Sequence, residues 1–346
     1  MDTNGVNKLK LTGTGLWRLL FGIVLGAFTL YALLDTFVIP RSMQTGATEL
    51  NLSMFGTSAT ATAAPAKTGS TGSTAAPDAA TNGGTLSATS GTASSATPAP
   101  TDAAASTPDS SDPVEDIVIE YAEYYVDKTA VYVADVRLSS AQYLRTAFAR
   151  DTYGRNVTAT TSSIALKHNA LLAVNGDYYG AQERGYVIRN GVIYRSTRSS
   201  ADVLCIYTDG TMRVVDPRQY TAEELLADGV WQAFSFGPGL VVDGEISVSA
   251  RDEVNRAMAS NPRTAIGMIE PNHFIFVVAD GRTTSSAGLT LYRLAEFMQS
   301  LGAVTAYNLD GGGSSTMYYN GSVVNRPTSG GRISERAVSD IVYIGK

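Results

Sequence analysis

Cysteine and histidine are almost missing from this sequence. Its 346 residues include one cysteine, Cys205, and two histidines, His168 and His273. One thiol cannot close an internal disulfide, and neither histidine has a cysteine or a second histidine at the spacing of a zinc site. Cys205 lies in an alternating apolar run, which favours a buried small hydrophobe over a nucleophile. In a hydrolase built on this chain, we therefore expect carboxylates to transfer the protons.

Positive charge is also scarce. Lys and Arg total 26 against 32 Asp and Glu, and the formal net charge is −6. Nucleic-acid binding calls for a basic patch or stripe, so this acidic chain predicts no nucleic-acid partner. We expect no metal and no cofactor, although a divalent cation held by carboxylates stays open as an alternative.

One long apolar run stands out near the N-terminus, at residues 16–40. It is uncharged from Leu19 to Leu34 and long enough to cross a hydrocarbon core of about 30 Å. Basic side chains precede it, which predicts that residues 1–15 are cytoplasmic and that the rest of the chain is extracytoplasmic. A cleaved signal peptide is the alternative, but its apolar region would be shorter and would end in a small-residue site. The pattern favours a single-pass signal-anchor in the cell membrane.

Two compositional zones follow. Residues 41–112 consist mostly of Ala, Thr, Ser, Pro and Gly, with too little apolar surface to offset the entropy of ordering, so we predict a disordered linker. Such a linker would hold the next zone away from the bilayer. Residues 113–346 have a globular composition, and about 230 residues are enough for one sizeable core.

Strand patterns dominate this last zone. Alternating apolar runs are split by Asx-Gly pairs, which predict β-hairpins at residues 190–191, 209–210 and 320–321. Helices are fewer, and one carries a capping box from Thr221 to Glu224. We predict an α+β domain with a mixed β-sheet and a few packed helices.

A helical pattern at residues 290–303 is flanked by two apolar runs that each end in Asp-Gly. A strand–helix–strand unit would place Asp280 and Asp310 at the carboxyl ends of strands, where open α/β sheets bind ligands. Three glycines and two serines follow Asp310. Such a loop can approach a ligand closely and bind an anion through successive N–H groups, although a plain turn is the alternative.

Other polar residues also lie at the ends of apolar runs. Arg263 and Arg282 are suited to a carboxylate or a phosphate, although a solvated face or a buried ion pair would explain them too. Asn175 and Asp177 precede two tyrosines, and aromatic rings beside a carboxylate suit a sugar. The loop before the last strand could close over a site, or be a simple surface loop; its candidates are Asn325, Arg326, Arg332 and Arg336.

Taken together, the motifs AVNGDYYG, FGPGLVVDGE, PRTAIGM, VVADGR, AYNLDGGGSSTMYYNG and VVNRP occur in the order typical of one family. Over residues 165–344 the chain resembles the phosphodiester glycosidase family, which includes the catalytic domain of the mammalian uncovering enzyme and bacterial proteins of exopolysaccharide biosynthesis type. This sequence has NGDYY where many members have NGGFF, and it lacks the cysteine-rich extension of the mammalian enzyme.

The resemblance implies a hydrolase that cleaves a sugar-1-phosphodiester in a cell-surface glycan, releasing the sugar and leaving a phosphomonoester. A non-catalytic envelope polysaccharide-binding protein is the alternative. The candidate catalytic residues are Asp310, Asp280 and Asp177, with acid and base roles left open. The candidate substrate-binding residues are Asn175, Arg263, Arg282, Asn308, Gly311, Gly312, Gly313, Ser314, Ser315, Asn325 and Arg326.

Overall fold

A computed structural model describes residues 13–43, 48–49, 116–249 and 260–346, with the side chains of residues 13–16 and 37 excepted. Most of the predicted linker, and residues 1–12 of the predicted cytoplasmic segment, lie outside these residues. The helices of the described part are α1 (Gly13–Phe37), α2 (Thr161–Lys167), α3 (Ala222–Ala227) and α4 (Leu291–Ser300).

The strands are short and numerous. In chain order they are β1 (Arg41–Ser42), β2 (Thr48–Glu49), β3 (Ile117–Val126), β4 (Thr129–Leu138), β5 (Leu144–Phe148), β6 (Gly154–Arg155), β7 (Leu172–Asn175), β8 (Val187–Arg189), β9 (Val192–Arg195), β10 (Val203–Tyr207), β11 (Met212–Val215), β12 (Val230–Phe234), β13 (Gly239–Val242), β14 (Glu245–Ile246), β15 (Arg263–Glu270), β16 (His273–Ala279), β17 (Thr305–Asn308), β18 (Met317–Tyr319), β19 (Ser322–Val323), β20 (Thr328–Ser329), β21 (Arg332–Ile333) and β22 (Asp340–Ile344).

Three sheets carry the fold. The largest has the order β14-β13-β17-β15-β16-β4-β3, the second β11-β10-β12-β8-β9-β2, and the third β19-β18-β7-β22-β5. Neighbouring strands pair antiparallel in each of them. Hairpins account for several of these pairs, as the Asx-Gly turns predict: β8 with β9, β10 with β11, and β18 with β19.

One apolar core is shared by the three sheets. The alternation along each strand sends one set of side chains inward and the other outward, as period-2 patterning requires. Leu204 and Ile206 of β10, for example, join Phe276 of β16 and Val342 of β22 in the common core. Their neighbours on β10, Val203 and Cys205, point to the opposite face.

Each outward face is covered by one helix. The residues that pack against the sheets come from α4 on the largest sheet, α3 on the second and α2 on the third. Cys205 is fully buried under α3, and burial raises the pKa of its thiol, which makes it a poor nucleophile. An antiparallel, three-sheet arrangement with packed helices confirms the predicted α+β class.

The N-terminal helix α1 is exposed and apolar. Its stretch Trp17–Thr36 has the length and composition of a membrane span, features that a signal sequence shares. After the helix, β1 pairs with β6 and β2 pairs with β9. Gly154 of β6 leaves room for this contact, because a Cβ there would lie 2.2 Å from the Arg41 carbonyl oxygen. The first residues of the predicted linker are therefore paired with the domain rather than free of it.

Candidate functional site

The ends of two strands bring the predicted site residues to one edge of the largest sheet. Strand β15 lies between β16 and β17 and is antiparallel to both, so β16 and β17 run in the same direction. Arg263, the first residue of β15, pairs with Ala279, the last residue of β16. Asp280 and Asp310 consequently follow two strands at the same edge, as the strand–helix–strand pattern predicts.

A cavity of about 620 Å³ opens at this edge. Its size falls in the range of small-molecule sites, and it combines an apolar wall with a few convergent polar groups. The lining residues are Phe236, Gly237, Pro238, Ser247, Val248, Asn261, Arg263, Arg282, Leu291, Asn308, Asp310, Gly311, Gly312 and Arg336.

Asp310 supplies the carboxylate of the cavity wall and is only 8% exposed. The Nη2 of Arg336 lies 3.2 Å from its Oδ2 and 3.5 Å from its Oδ1. Burial raises the pKa of the Asp310 carboxyl, although the charge of Arg336 and hydrogen bonds from Ser314 and the Gly311 backbone act in the opposite direction. A carboxyl whose pKa is raised towards neutrality is suited to a general acid or base.

Three guanidinium groups line the same cavity, those of Arg263, Arg282 and Arg336. Arg282 donates through Nη2 to Asn261 Oδ1 at 3.2 Å, and Arg263 donates through Nε to the Leu289 carbonyl at 3.0 Å. Guanidinium groups match the geometry of phosphate and carboxylate oxygens. Among the described residues, three arginines and one aspartate line the cavity, a balance that favours an anion.

The glycine loop lies directly against these groups. Gly312 has a φ of +63°, and a Cβ at this position would lie 3.0 Å from the Nη2 of Arg282. At Gly311 a Cβ would lie 2.9 Å from the Pro262 carbonyl oxygen. These close contacts with Pro262 and Arg282 favour glycine at both positions, whereas the sequence predicted glycine for close approach to a ligand.

Three backbone N–H groups of this loop bond protein carbonyls, whereas the sequence predicted that successive N–H groups would bind an anion. The N–H groups of Gly312, Ser314 and Ser315 donate to the carbonyls of Pro262, Gly311 and Gly312. Two of these bonds lie within the loop and the third ties it to Pro262, so each of the three N–H groups has a partner within the protein. An anion in the cavity would meet arginine side chains rather than a cradle made from these amides.

Asn308 lines the cavity and carries a buried acceptor that is unpaired among the described residues. Its side chain is 3% exposed, and its Nδ2 donates to the Gly237 carbonyl at 2.8 Å. Its Oδ1 is buried and has no hydrogen-bond partner in the described part of the chain. Because an unpaired buried acceptor costs about 1–3 kcal/mol, a ligand that donates a hydrogen bond here would be favoured.

Asp280 lies at the same edge but is not among the cavity-lining residues. Its carboxylate accepts hydrogen bonds from the Tyr132 hydroxyl at 3.1 Å, the Asn325 side chain at 3.0 Å and the Arg326 backbone at 3.0 Å. Asn325 also accepts from the Met317 N–H. These contacts tie the strand end to the loop before β20, which is a positioning arrangement.

Asp177 also lies outside the cavity wall, in a sealed cluster with Arg189 and Asp340. Arg189 donates through Nη2 to Asp177 at 2.8 Å and through Nε to Asp340 at 2.9 Å, and each of the three side chains is 1% exposed. Asp177 accepts further hydrogen bonds from the N–H groups of Ser235 and Tyr179. Its partners are thus all internal to the protein.

The remaining predicted residues support the loop. Asn175 donates to the Asp310 carbonyl at 2.6 Å and accepts from Thr264 at 2.8 Å, so it joins two sheets beneath the site. Ser314 accepts from Arg336 at 2.9 Å. Gly313 and Ser315 are buried and do not line the cavity. Within the described ranges, no group of three or more His, Cys, Asp and Glu side chains is placed to hold a metal ion.

Sequence reasoning misses part of the site. It identifies Arg336 only as a member of a loop that could close, and it does not identify Asn261 or the apolar wall formed by Phe236, Pro238 and Leu291. No local pattern marks these positions, because they reach the cavity only through long-range packing. The polarity of the loop before β22 is the one available signal.

Fold and site together define an α+β domain with a cavity at one edge of its largest sheet, lined by arginine side chains and a buried carboxylate. The chain belongs to the phosphodiester glycosidase family, whose sequence model matches residues 168–345. This assignment confirms the family that the motif order predicts.

Relatives agree with this assignment over parts of their length. The chain is 29% identical over 238 residues to an uncharacterized SPβ prophage-derived protein of Bacillus subtilis, covering 64% of this chain and 36% of the relative. It is 42% identical over 66 residues to mouse N-acetylglucosamine-1-phosphodiester α-N-acetylglucosaminidase, covering 19% and 13%. The chain thus matches only a minor share of either relative.

Solved structures share the fold. The catalytic domain of the zebrafish N-acetylglucosamine-1-phosphodiester α-N-acetylglucosaminidase, auto-inhibited by its pro-peptide, aligns with a TM-score of 0.54 and 23% identity over 68% of this chain and 85% of that one. A hypothetical protein from Synechocystis aligns with a TM-score of 0.51 and 16% identity, covering 66% and 62%.

Proposed function

We propose that this protein hydrolyses a sugar-1-phosphodiester, releasing the free sugar and a phosphomonoester. The observation that carries the proposal is the placement of buried Asp310 among three arginines in one cavity. An anion subsite beside a carboxyl with a raised pKa suits a substrate in which a negative phosphate adjoins the bond to be broken. Its family and the mammalian relatives support the same reaction class.

The phosphate is assigned to the arginine side of the cavity. Arg263 and Arg282 come from two neighbouring strand ends, and their donors would neutralise the phosphodiester charge. The guanidinium of Arg282 lies close to Gly312, so the glycine loop limits the positions that this guanidinium can take in the cavity.

The sugar is assigned to the apolar lining residues Phe236, Pro238 and Leu291 together with Asn308. Aromatic and aliphatic side chains pack against the apolar face of a sugar ring, and a few polar groups fix its orientation. The free Oδ1 of Asn308 would accept a hydrogen bond from a hydroxyl or an amide N–H of the sugar.

Asp310 is assigned the acid/base role. In its protonated form it would give its proton to the oxygen that leaves the anomeric carbon with the phosphomonoester. Water would supply the new hydroxyl on that carbon, and its proton would restore the carboxyl. Asp280 and Asp177 have internal partners instead, so we assign them to positioning and packing.

The direct test is release of free sugar by the full-length protein in detergent from a panel of UDP-sugars and simple sugar-1-phosphodiesters. Asp310→Asn should lower the rate by about 10²–10⁴-fold with unchanged thermal stability. If the wild type turns over none of the panel, or if Asp310→Asn keeps its rate, the assignment is wrong. Binding of the same compounds without turnover would favour a polysaccharide-binding role.

We further propose a single-pass membrane protein with an extracytoplasmic domain acting on an envelope glycan. The apolar helix α1 and the basic residues before it support this topology. Protease added to intact cells should digest the domain, and the N-terminus of the membrane-bound protein should begin upstream of α1. A soluble product that begins after α1 would instead identify a cleaved signal sequence.

A further inference from the structure

Arg336 holds a place that neither of the other cavity arginines has. Its Nη2 contacts both oxygens of Asp310 and the Gly311 carbonyl at 3.0 Å, and its Nε donates to Ser314 at 2.9 Å. The side chain of Arg336 is nevertheless 43% exposed, whereas that of Asp310 is 11% exposed. The guanidinium therefore bonds the carboxylate while much of the Arg336 side chain stays exposed, and Arg336 lines the cavity.

The charges around Asp310 come from several elements. Arg336 approaches from the loop before β22. Arg263 and Arg282 line the cavity from β15 and from the end of β16. The negative charge of Asp177, which lies outside the cavity wall, raises the pKa of Asp310. Of these groups, Arg336 is the cation in hydrogen-bond contact with the carboxylate. A cavity with this balance attracts a second anion, which must then share the guanidinium groups with Asp310.

We propose that Arg336 is a positioning residue that exchanges partners: a phosphate or sulfate entering the cavity draws its guanidinium from Asp310, and Asp310 takes up a proton in response. The catalytic role of this exchange rests on the proposed function, because binding of the phosphodiester would then protonate Asp310 and make it the general acid. The empty site would keep the carboxylate ionised and paired.

The physical argument is one of linkage. An arginine beside a carboxylate favours its charged form, and losing that partner inside a buried setting favours the neutral form. If anion binding favours protonation of Asp310, protonation must strengthen anion binding by the same factor. At full coupling, one proton is taken up for each anion, and affinity falls about tenfold per pH unit across the titration of Asp310.

Sulfate is the appropriate probe because it has no proton of its own to exchange in this range. Calorimetry of the full-length protein with sulfate, repeated in two buffers of different ionisation enthalpy, counts the protons taken up. We expect uptake approaching one proton per sulfate in the wild type and none in Asp310→Asn. Arg336→Gln should bind sulfate more weakly and lose most of the uptake, and Arg336→Lys, which keeps the charge, should retain much of it.

Arg332→Gln is the matched control, since Arg332 lies in the same segment, is exposed and does not line the cavity. Its proton uptake should equal that of the wild type. Wild-type uptake in Arg336→Gln would overturn the inference, because the anion would then act on Asp310 directly. Failure of the wild type to bind sulfate would overturn it as well. Neither readout needs turnover, so a protein that shows the coupling but hydrolyses no sugar phosphodiester would contradict the proposed function alone.

Discussion

Two clusters of aspartate and arginine lie close together in this protein and differ in access to solvent. In the sealed cluster, Asp177, Arg189 and Asp340 are each 1% exposed. In the open cluster, Asp310 meets Arg336, whose side chain is 43% exposed. Both clusters contain the same chemical groups at hydrogen-bond distance, so residue type alone does not separate them.

The difference lies in what else each group touches. In the sealed cluster, Arg189 also donates to the Ile188 and Ala233 carbonyls and stacks 4.1 Å from the Phe234 ring centroid. These partners are internal, so the cluster joins strands within the described part of the chain. The open cluster has a cavity on one side and can exchange a protein partner for a ligand. Exposure to the cavity, rather than the type of charged residue, distinguishes the open cluster from the sealed one.

The largest effect is expected from breaking the sealed cluster. Arg189→Met would leave two buried carboxylates without their cation, and such losses cost about 3–5 kcal/mol. We expect the free energy of unfolding in urea to fall by that amount. Arg336→Gln, the equivalent change in the open cluster, should cost less than about 1 kcal/mol. If the two variants lose equal stability, the distinction between the clusters fails.

The sealed cluster should also make stability depend on pH. Burial is the main cause that raises the pKa of Asp340 from 3.8 to about 7, against the opposing charge of Arg189. Because the folded pKa lies above the unfolded one, this stabilising contribution is complete below about pH 4 and is lost as the pH rises through about 7.

Asp340→Asn mimics the neutral form and isolates this contribution. The stability of the wild type relative to this variant should decline between about pH 4 and pH 7, by up to roughly 1.4 kcal/mol for each unit of pKa difference. Denaturant curves at several pH values would measure it. A constant difference between the two proteins across this range would show that Asp340 does not titrate there.

The sequence predicts the strands, turns and helices better than it predicts which aspartate lies in the sealed cluster and which lies in the open one. Local signals suffice for the Asx-Gly hairpins and for the capping box of α3, where Thr221 and Glu224 bond as predicted. The placement of Asp280 and Asp310 at the same edge of the largest sheet also follows from strand order. Which aspartates face a cavity depends on packing between sheets, and no local pattern encodes it. Arg336, 26 positions after Asp310 in the chain, could not be paired with it from spacing.

Asp280 belongs to neither cluster and provides a further test of the difference between them. The sequence predicted a catalytic role for Asp280, but its carboxylate has internal partners, as in the sealed cluster. In Asp280→Asn, an amide group would face the donors of Tyr132, Asn325 and the Arg326 backbone. We expect a loss of about 1–3 kcal/mol in stability and a turnover rate within a few-fold of the wild type. If the turnover rate instead drops by two orders of magnitude or more at unchanged stability, the catalytic assignment of Asp280 is restored.

A small effect on stability is expected in the glycine loop that lies against Arg282. Gly312 and Gly321 both have positive φ, but a Cβ on Gly312 would lie 3.0 Å from Arg282, whereas a Cβ on Gly321 would meet nothing within 4 Å. Alanine at either position should cost about 1 kcal/mol of backbone strain. Only Gly312→Ala should also displace Arg282, so its sulfate affinity should fall by several-fold while that of Gly321→Ala stays at the wild-type value. Equal affinities in the two variants would mean that Arg282 does not bind the anion, and the open cluster would then depend on Arg263 and Arg336.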